Sequence, residues 1–293
     1  MDTIKLQPIP YQGSKRNIAQ QIMEYYTGHP VRLIEPFAGS AAMTLYIAHH
    51  GIADKFIIND SSEPLMALWE KIINTPEDCA AQYEKIWQKQ VKQPEEYYLK
   101  IRSDFNRDHD PIKFLFLMAR CAKNAIRFNS RGEFNQSADK RRLGRHPKEM
   151  QKHILSTSSL LRGRTQLMNG DYEAVLAAAN PDDLVYMDPP YQGTSTGRNP
   201  RYHQGLDLQR FIENLEKLNE RHISYLLSFD GQLGEKKYGE PLPAFLKLRH
   251  VPIHAGRSSQ ATLNGKKEMT IESLYISPNV APAVSRRLFP VAV

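Results

Sequence analysis

Short apolar runs alternate with helical patterns at both ends of the chain. An apolar run at residues 31–35 precedes helical periodicity at 41–50, and a second run at 55–59 precedes a helical pattern at 64–73. Strands that alternate with helices indicate a mostly parallel sheet covered by helices. Further strand patterns lie at 165–169, 184–187 and 223–228, an amphipathic helix at 207–221, and a closing strand pair at 248–253 and 270–276. We therefore predict an α/β fold with a doubly wound mixed sheet.

The alternation of strands and helices stops in the middle of the chain. Helical patterns occupy residues 76–125 and 147–161, and a polar, glycine-bearing stretch at 127–145 separates them. We interpret this block as an insertion into the sheet domain. The predicted domains are a catalytic domain formed by residues 1–75 and 164–293, and an inserted helical domain formed by residues 76–163.

Positive charge is concentrated in this insertion. The chain carries a net charge of +7, whereas residues 100–164 contain sixteen Lys or Arg against six Asp or Glu, a local surplus of ten. The remainder is therefore slightly acidic. A basic region on a near-neutral scaffold indicates a polyanionic partner, most often nucleic acid, although a solvated charged surface is the alternative.

Composition excludes several classes of protein. The two cysteines, Cys79 and Cys121, are too few for a disulfide framework or a cysteine-based zinc site. The histidines, including His49 and His50, show no ligand spacing, so we expect no metal. No apolar stretch is long enough to cross a bilayer, and the N-terminus lacks a signal-peptide core. We expect a cytoplasmic, monomeric protein that does not contact a membrane.

A tetrapeptide of unusual chemistry, Asp188-Pro189-Pro190-Tyr191, directly follows the apolar run at 184–187. Open α/β sheets bind ligands beyond the carboxyl ends of their strands. Proline has no N–H, so the Pro189 carbonyl is available as an acceptor beside the Asp188 carboxylate. Together these two groups could hold one amino group, and Tyr191 could stack on a planar ring. An ordinary strand-ending turn is the alternative.

The turn after the first predicted strand indicates a nucleoside ligand. It contains a single glycine, which lets the backbone approach a ligand closely, but the dinucleotide fingerprint is incomplete. An uncharged or cationic adenosine ligand is therefore favoured over a pyrophosphate, and a glycine that serves only a tight turn is the alternative. The candidate residues of this turn are Glu35, Pro36, Phe37, Ala38, Gly39 and Ser40.

Acidic residues end the neighbouring strands. Asp60 follows the second strand, where an acidic side chain commonly binds ribose hydroxyls; capping of the next helix is the alternative. Asp171 either accepts from an adenine amino group or caps the helix that begins at Tyr172, and the sequence does not separate these roles.

In order along the chain, these segments resemble the Dam-like, alpha-group (D12 class) DNA adenine-N6 methyltransferases. The segments are Tyr11-Gln12-Gly13-Ser14-Lys15, the EPFAGSAA turn at 35–42, Asn59-Asp60, the 127–135 stretch and the DPPY sequence at 188–191. The resemblance implies a Rossmann-like methyltransferase fold, double-stranded DNA as substrate and S-adenosylmethionine as methyl donor.

The resemblance also assigns roles to cofactor residues. Tyr11 and Lys15 would lie near the methionine end of the donor, the turn at Gly39 would pass beneath it, and Asp60 would hold its ribose. The alternative for Lys15 is a solvated cation beside Arg16. Two departures from the family pattern are Ala41, where many relatives carry a second glycine, and the sequence after Asn135, which leaves the recognition sequence open.

The chemistry of the amino group suggests a mechanism. An exocyclic amino nitrogen is a poor nucleophile because its lone pair is delocalised into the ring. If Asp188 and the Pro189 carbonyl accept its two hydrogens, the lone pair can point at the sulfonium methyl for an in-line displacement. A base inside a duplex cannot reach this corner, so we expect it to be flipped out and stacked on Tyr191.

The basic insertion supplies the expected DNA contacts. Arg and Asn side chains read base edges in the major groove, whereas clustered cations hold phosphates. The expected base-reading residues are Arg127, Asn129, Arg131 and Asn135, and the expected phosphate-binding residues are Lys140, Arg141, Arg142 and Arg145.

Two alternative functions stay open from the sequence. The same geometry serves cytosine-N4 methylation, and a non-catalytic DNA-binding protein would explain the basic insertion but not the motifs at the sheet edge. A cytosine-C5 enzyme is disfavoured because neither cysteine lies in a Pro-Cys turn. A cognate restriction endonuclease is a further open partner.

Overall fold

The computed structural model describes residues 6–190, 206–233, 236–238, 241–257 and 269–281. The strands are β1 (Arg32–Glu35), β2 (Lys55–Asp60), β3 (Thr165–Asn169), β4 (Leu184–Met187), β5 (Ser224–Leu233), β6 (Lys236–Tyr238), β7 (Arg249–Arg257) and β8 (Met269–Ile276). The α-helices are α1 (Ala19–Met23), α2 (Ala42–His49), α3 (Glu63–Asn74), α4 (Pro76–Lys89), α5 (Pro94–Asp108), α6 (Pro111–Arg120), α7 (Pro147–Leu161), α8 (Tyr172–Ala177) and α9 (Leu208–Glu220).

The described strands form one mixed sheet with the order β3-β2-β1-β4-β5-β8-β7, and β6 pairs with β5. The five neighbouring strands β3, β2, β1, β4 and β5 are parallel, whereas β8 runs antiparallel to both β5 and β7. This arrangement confirms the predicted doubly wound sheet. The chain order reverses between β1 and β4, and such a switch point opens a crevice at the carboxyl ends of the strands.

The predicted helical stretch at 76–125 is divided into three helices. Each of α4, α5 and α6 begins at a proline, whose fixed φ and missing N–H suit the first turn of a helix and prevent continuation of the previous one. Asp110 caps α6 by accepting hydrogen bonds from the N–H groups of Ile112 and Lys113.

The sheet separates two hydrophobic clusters. One contains Phe56 and Trp69 together with Phe105 and Phe114 of the insertion, so the inserted helices share a core with one face of the sheet. The other packs α8 and α9, through residues such as Phe211, against the opposite face. Because α7 also packs on α3 and α4, the boundaries at 76 and 163 stay a prediction.

Candidate active site

A cleft of about 380 Å³ opens at the carboxyl ends of β1, β2 and β4. Every residue that the sequence assigned to the cofactor lines it, although these residues come from segments more than 170 positions apart. They are Tyr11, Lys15, Glu35, Pro36, Phe37, Ala38, Gly39, Ser40, Asp60, Asp171, Tyr172 and Asp188.

The turn after β1 is held in a conformation that favours glycine at position 39. Gly39 has φ +49°, and a Cβ at this position would lie 3.3 Å from the ring of Tyr11. Trp69 donates from Nε1 to the Gly39 carbonyl at 3.0 Å, which fixes the turn from below. Ala41 also adopts a left-handed conformation, with φ +46°, which glycine would adopt with less strain than alanine.

The Asp60 carboxylate connects this turn to the end of β2. Its Oδ2 accepts from the N–H of Gly39 at 3.0 Å, and its Oδ1 accepts from the N–H of Ser62 at 3.0 Å. Burial raises the pKa of Asp60, whereas these two hydrogen bonds lower it in part. The side chain therefore fixes the turn that precedes α3 without capping the helix, whose N-cap is Ser62, and at the same time faces the cleft.

Asp171 occupies a similar position at the end of β3. Its Oδ1 accepts from the N–H of Glu173 at 2.9 Å and so caps α8, which is one of its two expected roles. Its Oδ2 lies 3.0 Å from the guanidinium of Arg210. The next residue, Tyr172, packs its ring 5.0 Å from that of Phe37, which gives this end of the cleft an aromatic wall.

Lys15 and Asp188 form an ion pair at the opposite end of the cleft. The ammonium lies 2.8 Å from both carboxylate oxygens, and the side chains are 8% and 22% exposed, respectively. Burial raises the pKa of Asp188, and the charge of Lys15 lowers it only in part. Burial lowers the pKa of Lys15, but the carboxylates of Asp188 and Glu272 outweigh that effect and raise it. Lys15 is therefore not the solvated cation of the alternative interpretation.

The buried Glu35 carboxylate links the end of β1 to the first turn of α2. Its Oε2 accepts from the N–H and the hydroxyl of Thr44, at 3.0 and 2.6 Å, in the first turn of α2. Burial raises the pKa of Glu35 to about 7, although both hydrogen bonds lower it.

Two further residues of the tetrapeptide, Pro189 and Pro190, belong to the described part of the chain. Pro190 lines the cleft next to Asp188, and Pro189 is buried behind it. Tyr191, the expected stacking platform, lies outside the described residues.

A second, basic pocket of about 390 Å³ adjoins the cleft. It shares Tyr11, Gly13 and Ser14 with the cleft, so the segment at 11–14 forms the wall between the two cavities. The charged residues around it are all cationic: Arg16, Lys123, Arg141 and Arg142. A polyanion that crosses this pocket would reach the mouth of the cleft.

A buried carboxylate orients the guanidinium of Arg142 and fixes the backbone at Arg141. Asp139 accepts at Oδ1 from the N–H of Arg141 at 2.9 Å, and at Oδ2 from the guanidinium of Arg142 at 2.7 Å. The Asp139 carbonyl accepts from the guanidinium of the buried Arg120, which also donates to Gln90. The loop that carries the cations is therefore anchored in the interior of the insertion.

The expected base-reading residues lie on one hairpin, which Phe128 and Phe134 close as an antiparallel bridge. Arg127 and Arg131 are exposed there, and Asn135 donates from its N–H to the Arg127 carbonyl. Asn129 is used within the turn, because its side chain accepts from the N–H groups of Arg131 and Glu133.

Lys140 and Arg145, the two phosphate-binding candidates that do not line the basic pocket, differ in how exposed their side chains are. Lys140 is 77% exposed and pairs with Glu95 at 3.3 Å. Arg145 is half-buried, and its guanidinium donates to both the carbonyl and the side chain of Gln7. These bonds indicate that Arg145 fixes the N-terminal segment beside the basic pocket. Its contact with DNA stays a prediction.

A family model for D12 class N6 adenine-specific DNA methyltransferases matches residues 11–241, a range that contains the cleft, the insertion and every lining residue of the basic pocket except Gln7. The chain belongs to this family. Type II methyltransferase M.MjaIII of Methanocaldococcus jannaschii is 28% identical over 78% of this chain and 87% of its own. The DNA adenine methylase of Escherichia coli strain K12 is 27% identical, over 86% of this chain and 88% of its own length. The retron Ec67 DNA adenine methylase of Escherichia coli is 25% identical, over 87% of this chain and 88% of its own length.

Membership of the D12 class confirms the predicted adenine-N6 DNA methyltransferase, in preference to a cytosine-N4 enzyme or a non-catalytic DNA-binding protein. The family implies S-adenosylmethionine as donor and DNA as substrate. Among the described residues, no helix is long and apolar enough to span a membrane. No three His, Cys, Asp or Glu side chains of that part of the chain cluster as metal ligands.

The sequence analysis did not single out several residues that line or adjoin the cleft. Arg210 and Asp207 reach the cleft from the start of α9, and Tyr186 from β4. Glu272 lies on β8, with its carboxylate 3.9 Å from the Lys15 ammonium. No local pattern marks Asp207, Arg210 or Glu272, because α9 and β8 are distant in sequence from the motifs, whereas Tyr186 lies two residues before Asp188 within the apolar run that predicted β4.

Proposed function

We propose that the cleft binds S-adenosylmethionine and presents its methyl group to an adenine held by Asp188. The observation that carries this proposal is the convergence in one cleft of the Gly39 turn, the Asp60 and Asp171 carboxylates and the Lys15–Asp188 pair. When bound, the donor supplies an electrophilic methyl group on a sulfonium.

The residues of the cleft suit an adenosyl ligand. The positive φ of Gly39 and the absence of a Cβ let the turn pack closely against the ring of Tyr11, and both residues line the cleft. The aromatic wall of Phe37 and Tyr172 offers an apolar surface for a purine. Asp60 would hold the ribose, and Asp171 would accept from the amino group of the purine. Tyr11 and Lys15 would then lie towards the methionine end.

Asp188 would orient and activate the target amino group. Its carboxylate accepts one amino hydrogen and the Pro189 carbonyl the other, so that the nitrogen lone pair points towards the methyl carbon. Transfer would form a nitrogen–carbon bond as the carbon–sulfur bond breaks, the donor would leave as a neutral thioether, and the nitrogen would carry positive charge until it releases a proton to water. The Asp188 carboxylate stabilises this developing charge. Tyr191 would stack on the flipped adenine.

Lys15 would keep Asp188 ionised for this role. A buried carboxylate without a cation takes up a proton, and a protonated carboxyl is a weak acceptor. The two-point contact at 2.8 Å also fixes the plane of the carboxylate before the substrate arrives.

We propose that the insertion, residues 76–163, recognises the DNA target. The phosphate backbone would cross the basic pocket at Arg141 and Arg142, which Asp139 holds in place. The hairpin would then bring Arg127 and Arg131 to base edges. Lys140 and Arg145 would add outer contacts, and Asn129 would shape the hairpin.

The proposal also covers the setting of the reaction. Because the donor cleft and the basic pocket lie on one chain, we propose a monomer that acts in the cytoplasm on duplex DNA. One relative is named a Type II methyltransferase, which supports a restriction–modification system with a cognate endonuclease.

Two carboxylates that flank β4 provide a matched test. Asp188 follows the strand and pairs with Lys15, whereas Asp183 precedes it and pairs with Arg32 at 2.7 Å, at the end away from the cleft. We expect Asp188→Asn to slow single-turnover methyl transfer by at least about 10²-fold, with DNA affinity nearly unchanged. Asp183→Asn should lose stability but keep the rate. An equal loss of rate in both variants would contradict the role of Asp188.

A further inference from the structure

Two arginines, Arg210 within α9 and Arg221 directly after it, connect the two ends of this helix to α8. At the far end, Arg221 donates to the carbonyls of Leu176, Ala177 and Ala179 at the end of α8. At the near end, Arg210 reaches the first turn of α8, where the cleft begins. Only the Arg210 contact involves residues that line the cleft.

Arg210 makes three contacts around the aromatic wall. Its guanidinium pairs with Asp171 at 3.0 Å and with Glu173, and it lies 5.8 Å from the centre of the Tyr172 ring. Glu173 is held from a second side, because Asn214 donates to its Oε1 at 2.6 Å. The guanidinium is therefore fixed against one face of the cleft.

These contacts determine how the Asp171 carboxylate is oriented. One oxygen accepts from the N–H of Glu173 and the other from Arg210, so both oxygens are fixed and the carboxylate cannot rotate freely. Each oxygen keeps a second lone pair for another donor. The side chains of Arg210 and Asp171 are 45% and 47% exposed, so their ion pair contributes little to stability.

We propose that Arg210 is a positioning residue that holds Asp171 ready to accept from the 6-amino group of the donor's adenine, which makes the donor site selective for adenine over hypoxanthine. This inference rests on the proposed function, because it requires an adenosyl donor in the cleft. Hypoxanthine carries a carbonyl at position 6 in place of the amino group. Its carbonyl oxygen and the Asp171 carboxylate are both acceptors, so no hydrogen bond could form between them.

The test is calorimetric titration of the full chain, without DNA, with S-adenosylhomocysteine and with its deaminated form, S-inosylhomocysteine. A lost hydrogen bond to a charged acceptor predicts that wild type prefers the adenine ligand by at least about tenfold. Arg210→Ala should reduce this ratio severalfold, and Arg210→Lys should restore it only in part, because an ammonium lacks the planar fork. Asp171→Asn, which can donate to a carbonyl, should bring the ratio near or below one.

Arg221→Ala is the matched control, because it removes an arginine from the same helix pair away from the cleft. It should lower the melting temperature and leave the ratio unchanged. If Arg210→Ala weakens both ligands equally, or if Arg221→Ala reduces the ratio as much, the positioning role is wrong. A wild type that binds S-adenosylhomocysteine without discrimination would overturn this inference alone, whereas one that binds neither ligand would also overturn the proposed function.

Discussion

Replacement of Lys15 by methionine isolates the electrostatic role of the buried pair. Methionine keeps much of the side-chain volume but removes the only ammonium within hydrogen-bond distance of Asp188 among the described residues. The carboxylate then stays in a largely buried position without a compensating charge. Since burial already raises its pKa, loss of Lys15 should raise the pKa further.

The magnitude follows from the geometry of the pair. Both side chains are less than a quarter exposed, so solvent screens their contact only weakly. A hydrogen bond to a charged group contributes about 1.5–3 kcal/mol, which corresponds to a shift of about 1–2 pKa units. The carboxyl of the Lys15→Met variant should therefore hold its proton to a pH about 1–2 units higher than in wild type.

The assay is the pH profile of single-turnover methyl transfer between pH 5 and 9, with saturating duplex DNA and S-adenosylmethionine. Because ionised Asp188 is the required form, the rate rises with pH as this carboxyl loses its proton. In the variant this acid limb of the profile should lie about 1–2 pH units higher, and the rate should recover in part at pH values above the shifted limb. A rate that falls by the same factor at every pH, with an unmoved limb, would refute the claim that Lys15 acts by keeping Asp188 ionised.

Two further predictions concern the cleft wall and the hairpin. The pKa of Glu35 is raised to about 7, so its stabilising contribution is complete below the unfolded value near 4.5 and is lost as pH rises through 7. Glu35→Gln should therefore gain up to about 3 kcal/mol relative to wild type between pH 5 and 8 in thermal melts, and a pH-independent difference would contradict this. Arg127→Ala should relax the choice of methylated sites, measured by sequencing modified bases in treated DNA; an unchanged site preference would remove Arg127 from base reading.

Local patterns were sufficient to predict much of the fold and the cleft. Periodicity and flanking turn residues located β3, β4 and α7 at their observed bounds. The strand order of the sheet also places the motifs after β1, β2 and β4 at one edge, which is why the assigned cofactor residues meet in one cleft.

Contacts between distant segments were not predictable in the same way. Lys15 meets Asp188 across 173 positions, and Arg145 meets Gln7 across 138, so no local pattern distinguishes these buried or half-buried cations from solvated ones. The same limit applies to Arg210, whose exposed helical position shows no sign of its contact with Asp171. Such pairings depend on the packing of the whole domain rather than on the sequence around each residue.

The central claim is that one cleft unites an S-adenosylmethionine site with the Asp188 grip on a flipped adenine. The most direct measurement is transfer of labelled methyl groups from S-adenosylmethionine to duplex DNA, followed by digestion and mass spectrometry of the nucleosides, for wild type and Asp188→Asn. We expect labelled N6-methyladenine from wild type and almost none from Asp188→Asn. Labelled N4-methylcytosine, or equal transfer by both proteins, would contradict it.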